Sequence, residues 1–301
     1  MKFSVVIPAC NAGRFVADAV ASALDQEGVE KEVIVVDDGS TDDTPQALER
    51  FAGRLRLLRQ PNLGVAAARN RGIREATCEW IAFLDGDDLF LPGHLARAGQ
   101  GIARHPEAVM FYADVEARDE ELRFRKVLRS PRDPASFKER IVLNNFIYSN
   151  SVVARRDALL LCAGFAEDLR HAGEDWELWV RLSRRGPVFH LGHVAGVYRW
   201  HERSKIRSPG PGLREDNLRA LERLSRDLAL EPALVRQARA RIYYESGVRY
   251  LAAGERRLSR EDFRRALALA PTDAGSWAGW LLSLLPAELT RWLRRMRGAV
   301  S

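Results

Sequence analysis

The first half of the chain alternates between short apolar runs and segments whose apolar residues have helical spacing. The runs are apolar on both faces, as in parallel strands that helices cover on each side. The five runs of strand length are 3–7, 33–36, 55–58, 80–84 and 109–112. Strand and helix alternating in this order predict an α/β fold, with a doubly wound, mostly parallel sheet flanked by helices.

Three helices are predicted between the first four strands. The first, at 15–24, places its apolar residues on one face. The second is predicted to start with Thr44 as its N-cap, because Pro45 then occupies the first helical position. The third, at 64–76, is rich in alanine. Each helix therefore lies between two strands that follow one another along the chain.

Polar segments follow three of the predicted strands, at 8–11, 37–40 and 85–88. In open α/β sheets, ligands bind beyond the carboxyl ends of the strands. We therefore expect these three segments to lie along one rim and to form one binding site.

The second half of the chain has a mixed pattern from about residue 137. One helix is predicted at 173–182, with Trp176, Trp179, Val180 and Leu182 turned inward. Beyond a proline and glycine cluster the pattern is helical throughout, so that a helical C-terminal extension is expected.

That cluster, S-P-G-P-G, marks the predicted domain boundary. We predict one domain at 1–205, a linker at 206–212 and a helical region at 213–301. Within the helical region, 243–271 resembles one tetratricopeptide-type hairpin, a unit that cannot bury its own apolar face. The hairpin is either a helical cap on the main domain or a partner-binding module.

The last residues form a basic amphipathic segment, with four arginines and one glutamate after residue 286. Leu289, Trp292, Leu293 and Met296 can share one helix face. Such a segment suits peripheral contact with an anionic membrane. It equally suits a helix that packs on its own protein with its arginines outward.

Composition leaves several partners open. The chain has 301 residues and a net charge of +6, which is compatible with anionic partners such as nucleotides or phospholipids. The arginines are dispersed and form no stripe with aromatic residues, so no nucleic acid is expected. Cys10, Cys78 and Cys162 form no closely spaced pair and predict free thiols in a reducing compartment. Without a leader-like or membrane-spanning stretch, a cytoplasmic location is expected.

The most conspicuous polar cluster is Asp85, Asp87 and Asp88, directly after a buried strand. Three carboxylates so close together raise one another's pKa or attract a divalent cation. Aspartate oxygens beside phosphate and water suit Mg²⁺ or Mn²⁺, whereas a solvated turn remains the alternative. An EF-hand is excluded, because no glutamate follows at the required position of a twelve-residue loop.

A second pair, Asp37 and Asp38, ends the second predicted strand. A carboxylate there can accept hydrogen bonds from a ribose or from the N–H of a base. A dinucleotide-binding protein would also carry G-x-G-x-x-G in its first turn. Here the turn reads P-A-C-N-A-G, which argues against a dehydrogenase.

These motifs together resemble family 2 glycosyltransferases of the GT-A fold. The motifs occur in family order at 8–12, 35–42, 62–72, 83–88, 164–169 and 173–182. The resemblance covers roughly residues 1 to 205. One departure is Cys10, where the family usually has an aromatic residue. That departure leaves the donor base open among UDP, GDP and dTDP.

The resemblance implies roles for individual residues. On the donor side it implies nucleotide-sugar binding by Pro8, Ala9, Asn11, Asp37, Gly64, Arg69, Asp85 and Gly86. It implies that Asp87 and His201 bind the metal, Mn²⁺ or Mg²⁺, although a histidine in this context is otherwise commonly a surface residue. It implies that Asp175, with Glu174 beside it, is the catalytic base. On the acceptor side it implies acceptor binding by Trp176, Asn150 and Ser151.

The predicted activity is that of an inverting, metal-dependent glycosyltransferase. A sugar would pass from a UDP-, GDP- or dTDP-linked donor to a hydroxyl of a glycan or lipid-linked acceptor, in cell-surface polysaccharide synthesis. A base within about 3 Å of the attacking hydroxyl would take its proton. The protein would act in the cytoplasm, with peripheral contact at the inner face of the membrane as an option.

Three alternatives stay open at this stage. The Glu174–Asp175 pair can serve only as helix N-terminal charge, which favours acids. The chain can be a catalytically silent GT-A-like scaffold that acts through its helical tail. It can also be a nucleotidyltransferase, against which the Glu-Asp-Trp segment and the absence of a glycine- and lysine-rich opening loop both argue.

Overall fold

The computed structural model describes residues 1–201 and 211–285. Within these ranges the chain forms a mixed sheet with helices on both faces, followed by a run of helices. The strands are β1 Lys2–Ala9, β2 Glu30–Asp38, β3 Arg56–Gln60, β4 Trp80–Phe83, β5 Leu89–Phe90, β6 Met110–Asp119, β7 Phe124–Leu128, β8 Val153–Arg155 and β9 Val188–Trp200.

The helices of the described ranges connect these strands and then build the tail. A short 3₁₀ turn at Ser149–Ser151 precedes β8. The α-helices are α1 Val16–Leu24, α2 Thr44–Glu49, α3 Val65–Glu75, α4 His94–Arg104, α5 Phe137–Leu143, α6 Arg156–Leu161, α7 Glu174–Leu182, α8 Pro211–Asp227, α9 Pro232–Ala252, α10 Arg256–Leu269 and α11 Ala274–Leu284.

The strands follow the order β3-β2-β1-β4-β8-β6-β9-β5, with β7 paired to β6. The four strands from β3 to β4 are all parallel, and β6 and β9 are parallel to each other. β8 runs antiparallel to both of its neighbours and joins these two groups. The predicted mostly parallel α/β sheet flanked by helices is confirmed, and the antiparallel strand between its halves is an addition to it.

All five predicted strands are present, and most extend beyond the apolar core that predicted them. β6 continues to Asp119, well past the predicted end at residue 112. The N-cap prediction was off by one residue, because α2 begins at Thr44 itself and Asp43 precedes it. Thr44 is held instead by its hydroxyl, which accepts a hydrogen bond from Ala12 N at 2.8 Å. The hydroxyl thus joins the second helix to the loop after β1.

The main core lies between the sheet and the helices α1 and α4. It is built from side chains such as Phe3, Ile7, Val20, Leu95 and Phe111. Burial of each such side chain contributes about 1.5–3 kcal/mol to the stability of the fold.

The helix α7 packs its aromatic face inward as predicted. Trp176, Trp179, Val180 and Leu182 are all buried. The ring of Trp179 contacts Phe83, with 6.0 Å between ring centres. The inward face of α7 fixes where its N-terminus, which carries Glu174 and Asp175, meets the sheet.

The described residues divide into two compact units. The first unit consists of Met1–Ile141 and Asn145–His201, and the second contains the described tail. The helix α8 begins at Pro211, so the last two residues of the predicted linker are helical. The rest of that linker lies outside the described residues, as does the predicted basic amphipathic end at 286–301. The predicted domain boundaries otherwise remain a prediction.

In the tail, helices α9, α10 and α11 pack around one phenylalanine. Phe263 of α10 is fully buried and lies against the backbone of Gly247 and Gly279, where a larger residue would clash. Glycine at both positions therefore lets the three helices approach closely. No helix in the described parts of the chain is long and apolar enough to cross a membrane.

Candidate active site

The acidic turn 85–88 follows β4 at the carboxyl end of the sheet. Gly86 N donates to the carbonyl of Pro8 at 3.2 Å, so this turn lies directly against the end of β1. A Cβ atom at Gly86 would lie 3.0 Å from that carbonyl oxygen, which explains the glycine. The predicted meeting of the first and third polar segments at one rim is thus present.

Asp87 and His201 lie in direct contact. Nε2 of His201 is 2.9 Å from Oδ2 of Asp87, and the imidazole ring packs against Phe15 with 5.2 Å between ring centres. His201 follows the last residue of β9, so that this strand brings it to the turn. The structure therefore brings together the two residues that were expected to bind a metal.

Arg199 fixes the same strand to the acidic turn. Its N–H donates to Asp88 Oδ1 at 2.8 Å, and its Nε donates to the carbonyl of Asp87 at 2.9 Å. Its Nη2 reaches Asp18 at 3.1 Å, and the guanidinium lies over Phe15. Burial and the neighbouring Asp87 raise the pKa of Asp88 well above its ordinary value. Arg199 therefore holds the acidic turn in place through its contacts with Asp87 and Asp88.

The second polar segment is organised by Asp38 rather than by Asp37. The carboxylate of Asp38 accepts hydrogen bonds from Leu63 N at 2.9 Å and from Gly64 N at 2.8 Å. It thereby holds the loop that leads into α3. Asp37 accepts a hydrogen bond from Ser40 N at 2.9 Å, and its other oxygen lies 3.5 Å from Arg59 Nε. Both carboxylates are buried.

Asn11 and Cys10 close the rim at the end of β1. Asn11 has a left-handed backbone, and its side-chain oxygen accepts a hydrogen bond from Thr41 N at 2.9 Å. Cys10 is exposed, and Asn62 Nδ2 lies 3.3 Å from its sulfur. Burial and nearby aspartates raise the pKa of this thiol. Ala9 is buried at the end of the same strand, so the loops 8–13, 37–44 and 62–64 meet as one surface.

Arg69 occupies the centre of the site. It comes from α3 and is almost completely buried, at 3% exposure. Its Nη2 donates to Asp85 Oδ1 at 2.7 Å, and its Nη1 donates to Glu174 Oε1 at 3.1 Å. The guanidinium also lies over the Phe165 ring. One side chain thus joins the acidic turn to the start of α7.

Asp175 lies in the first turn of α7 beside Glu174. Its Oδ1 accepts a hydrogen bond from Trp176 N at 2.6 Å, and the side chain of Asn145 also bonds to it. Burial and the charge of Glu174 raise the pKa of Asp175 to about 7, although Arg69 acts in the opposite direction. A carboxylate that titrates near neutral pH is well matched to general base catalysis.

The residues expected on the acceptor side are buried. Trp176 is 4% exposed and donates its ring N–H to the carbonyl of Ile141. Asn150 donates to the carbonyl of Val197 at 3.1 Å, and Ser151 donates to that of Tyr148 at 2.8 Å. These contacts give all three residues a place in the packing, and their acceptor role stays a prediction.

Among the residues that the structure describes, no three His, Cys, Asp or Glu side chains are grouped so as to hold a metal by themselves. Asp87 and His201 form a pair, and Asp85 is turned toward Arg69. Mn²⁺ and Mg²⁺ commonly take part of their coordination from substrate phosphates. The pair therefore fits a cation bound together with a diphosphate.

Sequence reasoning missed three residues that organise this site. Asn70 accepts a hydrogen bond from Phe165 N at 2.7 Å and so holds the loop before α7. Asn145 bonds to Asp175, and Arg199 supports the acidic turn. Asn70 lies beside Arg69 in one of the recognised motifs, and Arg199 lies two residues before His201, so both had a local signal. Asn145 had none.

The family model described as glycosyl transferase family 2 matches residues 4–160 of the chain. A glycosyltransferase of Rickettsia bellii is 30% identical over 211 residues, covering 69% of this chain and 29% of that protein. The succinoglycan biosynthesis protein ExoU of Rhizobium meliloti is 33% identical over 206 residues, covering 64% of this chain and 60% of that protein. The chain thus matches less than two thirds of the length of these relatives.

Solved structures show the same architecture at low sequence identity. Staphylococcus aureus TarS 1–349, in complex with UDP-GlcNAc, has a TM-score of 0.65 at 20% identity, covering 97% of this chain and 92% of that one. The mannosyltransferase PcManGT of Pyrobaculum calidifontis, in complex with GDP-Man and Mn²⁺, has a TM-score of 0.61 at 18% identity, covering 98% and 84%. This likeness confirms the GT-A type fold.

Proposed function

The chain belongs to glycosyl transferase family 2, and from that membership we propose that it transfers a sugar from a nucleoside diphosphate donor to a hydroxyl group, with inversion at the anomeric carbon. One observation carries the proposal. Arg69 bonds to Asp85 and to Glu174 at once, so that the expected donor turn and the expected base lie on either side of one buried side chain.

On the donor side, the loops after β1 and β2 would receive the nucleoside. One oxygen of Asp37 is engaged by Ser40 N, and the other, 3.5 Å from Arg59 Nε, would also accept an N–H of the base. Pro8, Ala9, Asn11 and Gly64 supply the backbone rim around it. TarS and PcManGT were solved with UDP-GlcNAc and GDP-Man, which supports a nucleotide-sugar donor for this chain without choosing the base.

Asp87 and His201 would hold Mn²⁺ or Mg²⁺ together with the diphosphate. When bound, such a cation stabilises the charge that develops on the departing phosphate. Arg199 keeps both protein ligands in place through its contacts with Asp87 and Asp88. The Mn²⁺ in the PcManGT structure supports this assignment.

On the acceptor side, Asp175 would accept the proton of the attacking hydroxyl. Its pKa of about 7 leaves a large ionised fraction at neutral pH while keeping it a useful base. Direct displacement needs no second carboxylate as a nucleophile, which is consistent with inversion. Glu174 is bonded to Arg69 and is therefore assigned to support rather than to proton transfer.

The acceptor is proposed from two relatives. One is the succinoglycan biosynthesis protein, and another is the chondroitin synthase of Escherichia coli, 28% identical over 194 residues. We therefore favour a glycan or lipid-linked acceptor in polysaccharide synthesis. Peripheral membrane contact through the basic end at 286–301 would bring the enzyme to a lipid-linked acceptor.

Calorimetric titration of the whole chain tests the proposal. UDP, GDP and dTDP are each titrated with and without Mn²⁺, and the corresponding nucleotide sugars are then assayed for release of the nucleoside diphosphate. We expect one nucleotide to bind in a Mn²⁺-dependent way and its sugar conjugate to turn over. Binding without turnover of any conjugate would favour a silent scaffold, and the absence of all nucleotide binding would contradict the proposal.

A further inference from the structure

We propose that Arg69 is a positioning residue for proton transfer: it takes Glu174 as its own counter-ion and keeps Asp175 ionised as the base. This inference rests on the proposed function only in naming Asp175 the base. It differs from the role that the sequence implied for Arg69, which was direct contact with the donor. The structure gives a donor little access to this side chain, because its exposure is 3%.

The contacts around Arg69 divide the two neighbouring acids. Glu174 is buried and bonds to Arg69 Nη1 at 3.1 Å. Asp175 bonds instead to Trp176 N and to the side chain of Asn145. An acid that already accepts a guanidinium N–H is a poor proton acceptor, because taking up a proton would break a buried ion pair. The geometry therefore selects Asp175.

The charges around Arg69 explain why Asp175 requires a nearby positive charge to stay ionised. Asp85 and Glu174 bond to the guanidinium of Arg69, and the carboxylate of Asp175 interacts with its charge without bonding to it. Burial and Glu174 both favour the protonated form of Asp175, and Arg69 favours the ionised form. Asn145 contributes a neutral hydrogen bond from the segment after α5. Removal of Arg69 would leave three neighbouring carboxylates without the guanidinium that they share.

Arg69 itself is held in place from several sides. Burial acts to lower its pKa, but Asp85 and Glu174 outweigh burial and keep the guanidinium charged. Phe165 lies under the guanidinium, and Asn70 anchors Phe165 by a hydrogen bond to its N–H. Nε of Arg69 is buried without a hydrogen-bond partner. The guanidinium is thus fixed by two carboxylates and a ring rather than by a full set of hydrogen bonds.

The titration of Asp175 can be followed directly in the free protein. The carboxyl carbon of ¹³C-labelled aspartate is observed by NMR from pH 4 to 9, and Asp175→Asn assigns the signal. Arg69→Met should raise the titration midpoint of Asp175 by about one unit or more, because the positive charge that favours the ionised carboxylate is lost. Arg69→Lys, which retains the charge, should stay closer to the wild type.

Two further variants make the test independent of how well Arg69→Met folds. Glu174→Gln should lower the Asp175 midpoint, because the neighbouring negative charge is removed while the side chain keeps its size. Arg71→Met, on the same helix but bonded to the carbonyl of Arg59, should leave it unchanged. An unchanged midpoint in Arg69→Met, or in Glu174→Gln if Arg69→Met does not fold, would overturn the inference.

Turnover gives the second readout once a donor has been found. In Arg69→Met the rate of nucleoside diphosphate release should fall most below pH 7. It should recover toward pH 9, where Asp175 is ionised even in the absence of Arg69. A deficit of the same size at every pH would contradict the positioning role. Because the NMR titration requires no donor, absence of nucleotide binding would remove the proposed function and leave the titration result standing.

Discussion

Oδ2 of Asp87 lies 2.9 Å from Nε2 of His201, although 114 positions separate the two residues. The contact depends on β9, which pairs in parallel with β6 and ends just before His201. Arg199 secures that end by two hydrogen bonds to residues 87 and 88. The proposed metal ligands are therefore held by the sheet itself and by one arginine.

Substitution of this pair should remove the metal dependence of nucleotide binding. Asp87→Asn keeps the shape of the side chain and removes its charge, so the metal loses its anionic protein ligand. We expect the Mn²⁺-supported affinity for the preferred nucleotide to fall by at least about 10- to 100-fold, which is the loss typical when only a hydrogen-bond partner of a metal ligand is removed. Calorimetry with and without Mn²⁺ measures the change.

The matched control for this loss is Asp227→Asn, which removes the same charge from an exposed position in the tail. The Mn²⁺-supported affinity of this variant for the nucleotide should equal that of the wild type. If Asp87→Asn and His201→Ala both retained the full Mn²⁺ effect, the assignment of these two ligands would be wrong.

Loss of the proposed base should slow turnover strongly and leave donor binding nearly unchanged. In Asp175→Asn the amide cannot accept the proton of the attacking hydroxyl. We expect the rate of transfer to fall about 10²- to 10⁴-fold while nucleotide affinity stays within a factor of about two to three. Asp157→Asn is the control, since Asp157 is also an acid in the first turn of a helix. Equal loss in both variants would show that the effect is not specific to Asp175.

The same substitution should make the protein more stable above pH 7. The pKa of Asp175 is about 7 in the fold against an ordinary 3.8, so the fold binds this proton more tightly than the unfolded chain does. The stabilisation is complete below about pH 4 and is lost as the pH rises to about 7. At pH 8 we therefore expect Asp175→Asn to raise the free energy of unfolding by roughly 1–3 kcal/mol.

Urea denaturation at pH 4 and pH 8 checks this expectation. The difference between Asp175→Asn and the wild type should be present at pH 8 and largely absent at pH 4. A difference of the same size at both pH values would point to packing rather than to the charge.

The contact of α3 with β1 should tolerate no larger residue at Gly72. A Cβ atom there would lie 2.3 Å from a methyl carbon of Val6. Gly72→Ala should therefore destabilise the fold by about 1–3 kcal/mol, despite the better helix propensity of alanine. Val6→Ala in the same chain removes the clashing methyl groups, and the double variant should recover part of the loss in urea denaturation.

Gly99→Ala on α4 is the control, because its Cβ would meet Met1 at an ordinary 3.6 Å. We expect it to be neutral or slightly stabilising. Independent effects of the Gly72 and Val6 substitutions, with no coupling between them, would show that the helix can shift away from the strand.

The strands and the rim of the site could be predicted because their signals are local. An apolar run followed by acids marks both the strand β4 and its polar end, and parallel topology then places Asp37 and Asp85 at one edge. The helix α7 was equally clear, since Trp176 and Trp179 share an inward face. These features depend on residues that are close together in sequence.

The remaining features depend on contacts between distant segments. The strand β8 separates the two groups of parallel strands. Its three residues carry no sequence pattern that would predict this position. The burial of Arg69 between Asp85 and Glu174 joins positions 105 residues apart, and the support of Asp175 by Asn145 depends on a loop whose pattern is mixed. Tertiary packing determines such contacts, and the periodicity of apolar residues along the sequence does not predict them.

The position of β9 at the end of the first unit also determines the order in which the parts of the proposed metal site are synthesised. The acidic turn is made long before the strand that carries Arg199 and His201. At ordinary rates of synthesis, roughly 6 to 23 s pass between Asp87 and His201. During that interval the turn has neither its arginine nor its histidine. The proposed metal site is therefore completed only when β9 joins the sheet.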